Sequence, residues 1–122
     1  MGRPVIHFEI MGRDSARLRA FYTDLFDWKL NADNPFGYAT VERDDNLSAE
    51  GVGIGGGIGQ TSDFPGYVTF YVEVPDVEAS LAQAVGLGGT RLMGPEQIMD
   101  GVEIGMFTDP EGNVIGVLKE QS

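Results

Sequence analysis

Hydrophobic and polar residues follow two periods along this chain, and the two periods come in the same order twice. Val5-Ile6-His7-Phe8-Glu9-Ile10 is a short run of strand-forming residues. Asp14-Ser15 then offers a cap for a segment with Leu18, Phe21, Tyr22 and Leu25 at i, i+3, i+4 and i+7, the spacing of an amphipathic helix. Tyr67 to Val74, YVTFYVEV, is again a strand pattern. Asp76 caps a second helix with Val77, Leu81 and Val85 on one face, and the glycines at 86, 88 and 89 end it.

A shift of 62 residues superimposes the halves, placing His7 on Thr69, Asp14 on Asp76 and Asp27 on Gly89. Strand-like segments follow each helix: 27–30, 37–42 and 51–58 in the first half, and 90–92, 101–107 and 113–119 in the second. The pattern predicts an α+β fold of two βαβββ modules, 1–62 and 63–122, arisen by internal duplication within one domain. Residues 43–50 read as a mobile loop and 60–66 as the linker between modules. In Thr108-Asp109-Pro110-Glu111-Gly112-Asn113, Pro110 presets φ and Gly112 takes the left-handed position of a tight hairpin.

One stretch sets a separate question. Gly51-Val52-Gly53-Ile54-Gly55-Gly56 satisfies the G-x-G-x-x-G pattern of dinucleotide sites. That pattern cradles phosphate only when a helix starts on it, and Gln60 to Gly66 has neither helical spacing nor freedom from proline. With period two, Val52, Ile54, Gly56 and Ile58 face one way and the other glycines face the opposite way. Bare backbone of this kind marks a close approach by some other group.

Composition narrows the chemistry. The chain has 122 residues and 42% hydrophobic content, enough for one core. It has no cysteine, so disulfides, thiolate nucleophiles and Cys-ligated metals are excluded. Nineteen acidic residues against eight basic ones give a net charge of −11, and only Arg91 and Lys119 among the basic residues lie beyond residue 44. Nucleic acid and anionic membrane are therefore not expected partners. The start shows neither a secretory core nor a spanning helix, and a cytoplasmic location is expected. With a single histidine and no serine elbow, triad hydrolysis is remote.

HFEI near the start, FYTDLFDW after it, and FTDPEGNVIGVLK near the end resemble the vicinal oxygen chelate superfamily, which includes glyoxalase I, extradiol dioxygenases and bleomycin-resistance proteins. The resemblance covers nearly the whole chain. It implies that two βαβββ units form a curved, cup-shaped sheet, and that metal-dependent members hold a divalent ion on the first and fourth strands of each unit. His7 stands at the first-strand histidine position. The matching second-unit position is Thr69, the fourth-strand position of the second unit is Gly116, and residues 51–59 contain no His, Asp or Glu. One ligand of four does not make a catalytic metal site. Rescue by a residue outside the pattern, such as Glu9 or Glu73, is the remaining route, so no metal and no cofactor are expected.

His7 and Glu9 are i and i+2 on one strand and share a face. With Thr69 and Tyr71 on the equivalent strand they form a polar floor, or else His7 and Glu9 only satisfy backbone or inter-module hydrogen bonds; Trp28, Phe36 and Tyr38 supply an aromatic wall, unless the tryptophan is core; Gly55, Gly116 and Met106, the last as lining or packing, complete the expected ligand-binding set. Two readings stand. One is a metal-free small-molecule-binding protein of the glyoxalase and bleomycin-resistance type. The other is a glyoxalase-like lyase or isomerase with Glu9 and His7 as acid–base residues, with or without a divalent metal. A homodimer is expected in either case, because small members of the superfamily commonly form one.

Overall fold

The computed structural model describes residues 2–32, 37–62, 66–99 and 101–120. The fold is α+β, and among the described residues eight strands and two α-helices repeat one order: β1 (Val5–Gly12), α1 (Ser15–Phe26), β2 (Leu30–Asn31), β3 (Ala39–Val41), β4 (Gly55–Gln60), then β5 (Tyr67–Glu73), α2 (Val77–Gly86), β6 (Thr90–Met99), β7 (Val102–Thr108) and β8 (Val114–Glu120). Internal contacts divide it into two compact units, residues 6–68 and residues 1–5 with 69–122.

In the first unit the strands lie in the order β2-β3-β4-β1, and in the second β5-β8-β7-β6. Both use the same pairing: the first strand runs parallel to the fourth, and the middle strands are antiparallel. Each helix starts on the same device. Asp14 accepts the Arg17 amide and Asp76 the Ala79 amide, both at 3.0 Å, satisfying an N–H that the first turn leaves open. Gln60 adds to the first start by accepting from the Ser15 amide and hydroxyl at 3.3 and 3.2 Å.

The second unit is built around Val74, Val77, Leu81 and Val117, with Val72 and Phe107 packed against them. A Cβ at Gly105 would lie 2.7 Å from Leu81 Cδ1 and 2.9 Å from Val77 Cγ1, so this glycine seats α2 on β7. In the first unit Ala39, Val41 and Ile58 are buried. The α1 stripe is buried less than its spacing predicts. Leu18 and Tyr22 are half-buried, whereas Phe21 and Leu25 are 57% and 58% exposed. Leu18 and Tyr22 are one i, i+4 row and Phe21 and Leu25 the adjacent one, and this unit covers only the first. Val85 on α2 is likewise exposed beside fully buried Val77 and Leu81.

Three element boundaries differ from the sequence pattern. Asp27, read as a strand start, ends α1 in the left-handed region with its amide on Thr23 O. The glycine-rich strand begins at Gly55 and not at Gly51: Gly51 has φ +80° and its amide bonds to Ser48 O, closing a turn. Strand β6 runs on to Met99 through Gly94-Pro95, with register shifts in its pairing with β7, where the sequence suggests a stop after Leu92. Residues 43–50 contain a 3-10 turn at Arg43–Asp45.

The Asp109 turn is held by its own side chain. Asp109 Oδ1 accepts the amides of Glu111 and Asn113 and Oδ2 accepts Asn113 Nδ2, each at 2.9 Å. These bonds hold its carboxyl below the usual carboxylate range, the side-chain bond from Asn113 foremost. Gly112, at φ +90°, supplies the left-handed step.

Gly116 on β8 lies beside Tyr71 in the parallel register, and an added Cβ would overlap the Tyr71 ring, itself 4% exposed. Gly116→Ala is expected to destabilise the protein by about 1–3 kcal/mol through overpacking. Urea denaturation checks this; an unchanged midpoint would mean that the ring has room to move.

Candidate functional site

The parallel register of β1 with β4 sets His7 beside Gly55 and Glu9 beside Gly57. Residues 7, 9 and 11 thus share a face with 55, 57 and 59. Tyr38, immediately before β3, lies across that face. A Cβ at Gly57 would fall within the Tyr38 ring, and one at Gly59 would meet Met11 Sδ at 2.7 Å and Tyr38 Cδ1 at 2.9 Å. The glycines are bare because an aromatic ring rests on them.

The ring brings its hydroxyl between the two polar residues of β1. Tyr38 donates to Glu9 Oε1 at 3.0 Å and lies 2.9 Å from His7 Nε2, with the rings of His7 and Tyr38 nearly parallel. Tyr67 donates to the other carboxylate oxygen, Oε2, at 3.4 Å. Glu9 is only 7% exposed, so these phenols replace water at a buried carboxylate. A tyrosine has one proton. With that proton on Glu9, the bond to His7 takes its proton from the imidazole, and in the other tautomer the phenol proton goes to His7 instead.

The environment perturbs both titrating neighbours. Burial lowers the His7 imidazole below its ordinary value. The Tyr67 phenol is pushed up to about 12, first by burial and then by the charge and hydrogen bond of Glu9.

The other sequence-predicted residues make different contacts. Gly55 shares the His7 face, but its Cβ position is closed by Val41 O at 3.0 Å and by Arg43. Trp28 packs on Phe8, Tyr22 and Phe26 with centroids 5.3–5.4 Å apart, and Phe8 alternates with His7 and Glu9 along β1, so the indole belongs to the helix side. Phe36 lies outside the described residues. In the second unit Thr69 is buried and donates to Val114 O at 2.6 Å. Tyr71 covers Gly116 and directs its hydroxyl to Met106 Sδ at 4.0 Å. The structure thus joins His7, Glu9 and Tyr38 in one cluster, and Tyr71, Met106 and Gly116 in a second, apolar one.

Tyr67 was not anticipated. It opens a run that reads simply as strand, and nothing in its spacing ties it to a carboxylate 58 residues earlier. Two surface grooves, of about 410 and 530 Å³, lie in the second unit. The smaller includes exposed Glu73, named above only as an alternative metal donor; neither contains a residue expected from the sequence to bind ligand.

A divalent metal of the kind implied by the fold does not fit these donors. Among the described residues no three His, Asp or Glu side chains come together. Thr69 spends its hydroxyl proton on a backbone carbonyl, and Gly116 has no side chain to offer. The chemistry available is that of a carboxylate, an imidazole and two phenols.

Residues 7–118 match the model of the glyoxalase-like domain, and the chain belongs to that family. Among solved structures it is similar to a glyoxalase/bleomycin resistance protein/dioxygenase superfamily member from Vibrio splendidus 12B01, with 14% identity, TM-score 0.64, and 98% of this chain and 100% of that one covered. It is also similar to Streptomyces coelicolor methylmalonyl-CoA epimerase in complex with 2-nitronate-propionyl-CoA, with 16% identity, TM-score 0.66, and 100% and 99% covered. The epimerase from Mycobacterium tuberculosis gives 12% identity and TM-score 0.60, with 97% and 88% covered. These likenesses define the fold: the vicinal oxygen chelate arrangement that the sequence motifs resemble. No curated protein matches the chain. No helix among the described residues is long and apolar enough to cross a membrane.

The perturbed groups make pH a direct probe. Because folding lowers the His7 pKa, its contribution to stability is whole above 6.5 and is lost as pH falls through the folded value. Because folding raises that of Tyr67, its contribution is whole below 10.0 and is lost as pH rises through about 12. Proton NMR of the single histidine should give a midpoint below 6.5, and Glu9→Gln should lower the Tyr67 midpoint in an ultraviolet phenolate titration. A His7 midpoint above 6.5, or a Tyr67 midpoint indifferent to Glu9, contradicts this electrostatic picture.

Proposed function

We propose that this glyoxalase-like protein binds a small organic molecule at His7, Glu9 and Tyr38, as a metal-free member of the glyoxalase and bleomycin-resistance type. The observation that carries the reading is the buried Glu9 carboxylate, met by two phenols and placed beside a neutral imidazole. Buried ionisable groups are costly, and a domain that needed only a core would place an apolar residue there. The carboxylate and the −11 net charge favour an uncharged or cationic guest over an anionic one. We further propose that the protein acts in the cytoplasm as a homodimer.

A second reading has its own support in the same cluster. A buried carboxylate beside an imidazole suits removal of a proton next to a carbonyl, and an epimerase is among the proteins of similar fold. In that case Glu9 takes the proton and the reaction is an isomerisation or lyase step.

Nuclear magnetic resonance with a mixed panel of small amines, alcohols, phenols and carbonyl compounds tests binding. Compounds that bind are expected to shift the His7 ring signals and to lose about tenfold or more in affinity in Glu9→Gln, the cost of disturbing a charged hydrogen bond. If nothing in the panel moves His7, or if Glu9→Gln binds equally well, the site is misassigned. Glu9-dependent exchange of a carbonyl compound's α-proton for solvent deuterium would decide for the enzyme.

A further inference from the structure

The outward side of α1 combines large apolar side chains with one charge of each sign. Phe21 and Leu25 are 57% and 58% exposed and continue the i, i+4 row that starts at exposed Arg17. Asp24 and Ala20 are exposed as well. Seven residues make nearly two helical turns, so Arg17 and Asp24 lie within about 20° of each other around α1 and about 10.5 Å apart along it. Phe21 stands between them, its ring edge-on to Tyr22 with centroids 5.0 Å apart. Phe26, also exposed, differs in being stacked on Tyr22 and packed on Trp28. We infer that the face of Arg17, Ala20, Phe21, Asp24 and Leu25 is where a second copy of this chain docks, α1 against α1 and antiparallel.

The charges select the occupant. Arg17 and Asp24 are too far apart to pair within one helix, and neither side chain has an ion pair among the described residues. A two-fold axis midway between them passes beside Ala20 and Phe21. It sets Arg17 of each copy opposite Asp24 of the other, forming two equivalent ion pairs. The same operation brings the two Phe21 rings together, and Ala20 adds no bulk that would hold the helices apart. Parallel pairing would set Arg17 against Arg17 and Asp24 against Asp24, which is repulsive. A net charge of −11 opposes association in general, and a face whose two charges cancel is suited to meet its own copy.

The inference rests on the homodimer proposed above, names its contact surface, and is independent of the His7 and Glu9 cluster. One helix face is smaller than the roughly 800 Å² per partner of a standard stable interface, so pairing through α1 alone is reversible and is lost on dilution.

Sedimentation equilibrium over a dilution series tests this with wild type, Phe21→Ser, Arg17→Asp, Asp24→Arg and the double variant Arg17→Asp/Asp24→Arg. Arg17 lies in the first turn of α1 and Asp24 in the last, so both charge reversals suit the helix dipole, and circular dichroism checks that each variant folds. Wild type should shift between 13.2 kDa and twice that mass with concentration. Phe21→Ser should weaken pairing by about tenfold or more. Each single charge reversal places like charges together at both ends of the contact and should weaken pairing by about fivefold, and the double variant should return to within about twofold of wild type. A dimer indifferent to Phe21→Ser and to both single reversals would use another face, which overturns the inference and leaves the homodimer standing. Single reversals that weaken pairing without recovery in the double variant would overturn the antiparallel register. Wild type that stays at 13.2 kDa up to millimolar concentration would remove the homodimer and the inference together.

Discussion

A carboxyl group taken out of water is costly unless hydrogen-bond partners meet its oxygens, and in this chain Glu9 is met by a tyrosine that must cross a neighbouring strand to reach it. That single contact constrains much of the first unit. The strand being crossed must lack side chains, which accounts for Gly57 and Gly59; the register of β1 on β4 must set Glu9 against Gly57; and Tyr38 must leave its own strand end toward β1. The same ring stacks beside His7, so one hydroxyl links the only histidine in the sequence to the most buried carboxylate among the described residues. Tyr67, at the far end of the unit's sequence, closes the second oxygen.

The second unit repeats the framework and not the chemistry. Asp14 and Asp76 cap equivalent helices, and an aromatic ring again lies over a glycine on the paired strand, Tyr71 on Gly116. Yet the 62-residue shift puts Thr69 where the first unit has His7 and Tyr71 where it has Glu9. The threonine hydroxyl goes to a backbone carbonyl and the tyrosine hydroxyl to a methionine sulfur. One unit has charged groups at these positions and the other has packing. A fold that hosts both versions within one chain does not itself specify a reaction; the side chains on two strand faces do.

Each likeness to a solved structure rests on 12–16% identity, and it is backbone geometry that is shared. The consequence for function is that residue roles have to be argued from this chain's own contacts. Donors suited to a divalent metal are not gathered among the described residues, whereas phenols are placed at both carboxylate oxygens of Glu9. Hydroxyl donors at a carboxylate suit hydrogen bonding rather than chelation.

The sequence by itself determined the duplicated strand–helix order, both aspartate caps, the Asp109 turn, and the shared face of His7 and Glu9. All of these follow from periods and offsets of a few residues, which the backbone of a single strand, helix or turn imposes locally. It also marked the glycine-rich strand as the seat of a close approach without saying of what. Only the tertiary structure decided that the approaching group is Tyr38, 29 residues from Glu9, that Tyr67 joins it, and that Trp28 packs on the helix side. It likewise decided that the Phe21 and Leu25 row of α1 remains exposed. These outcomes depend on which strands pair and in what register, and a change of one residue in register would carry Glu9 to the opposite face, so no local period could have contained them.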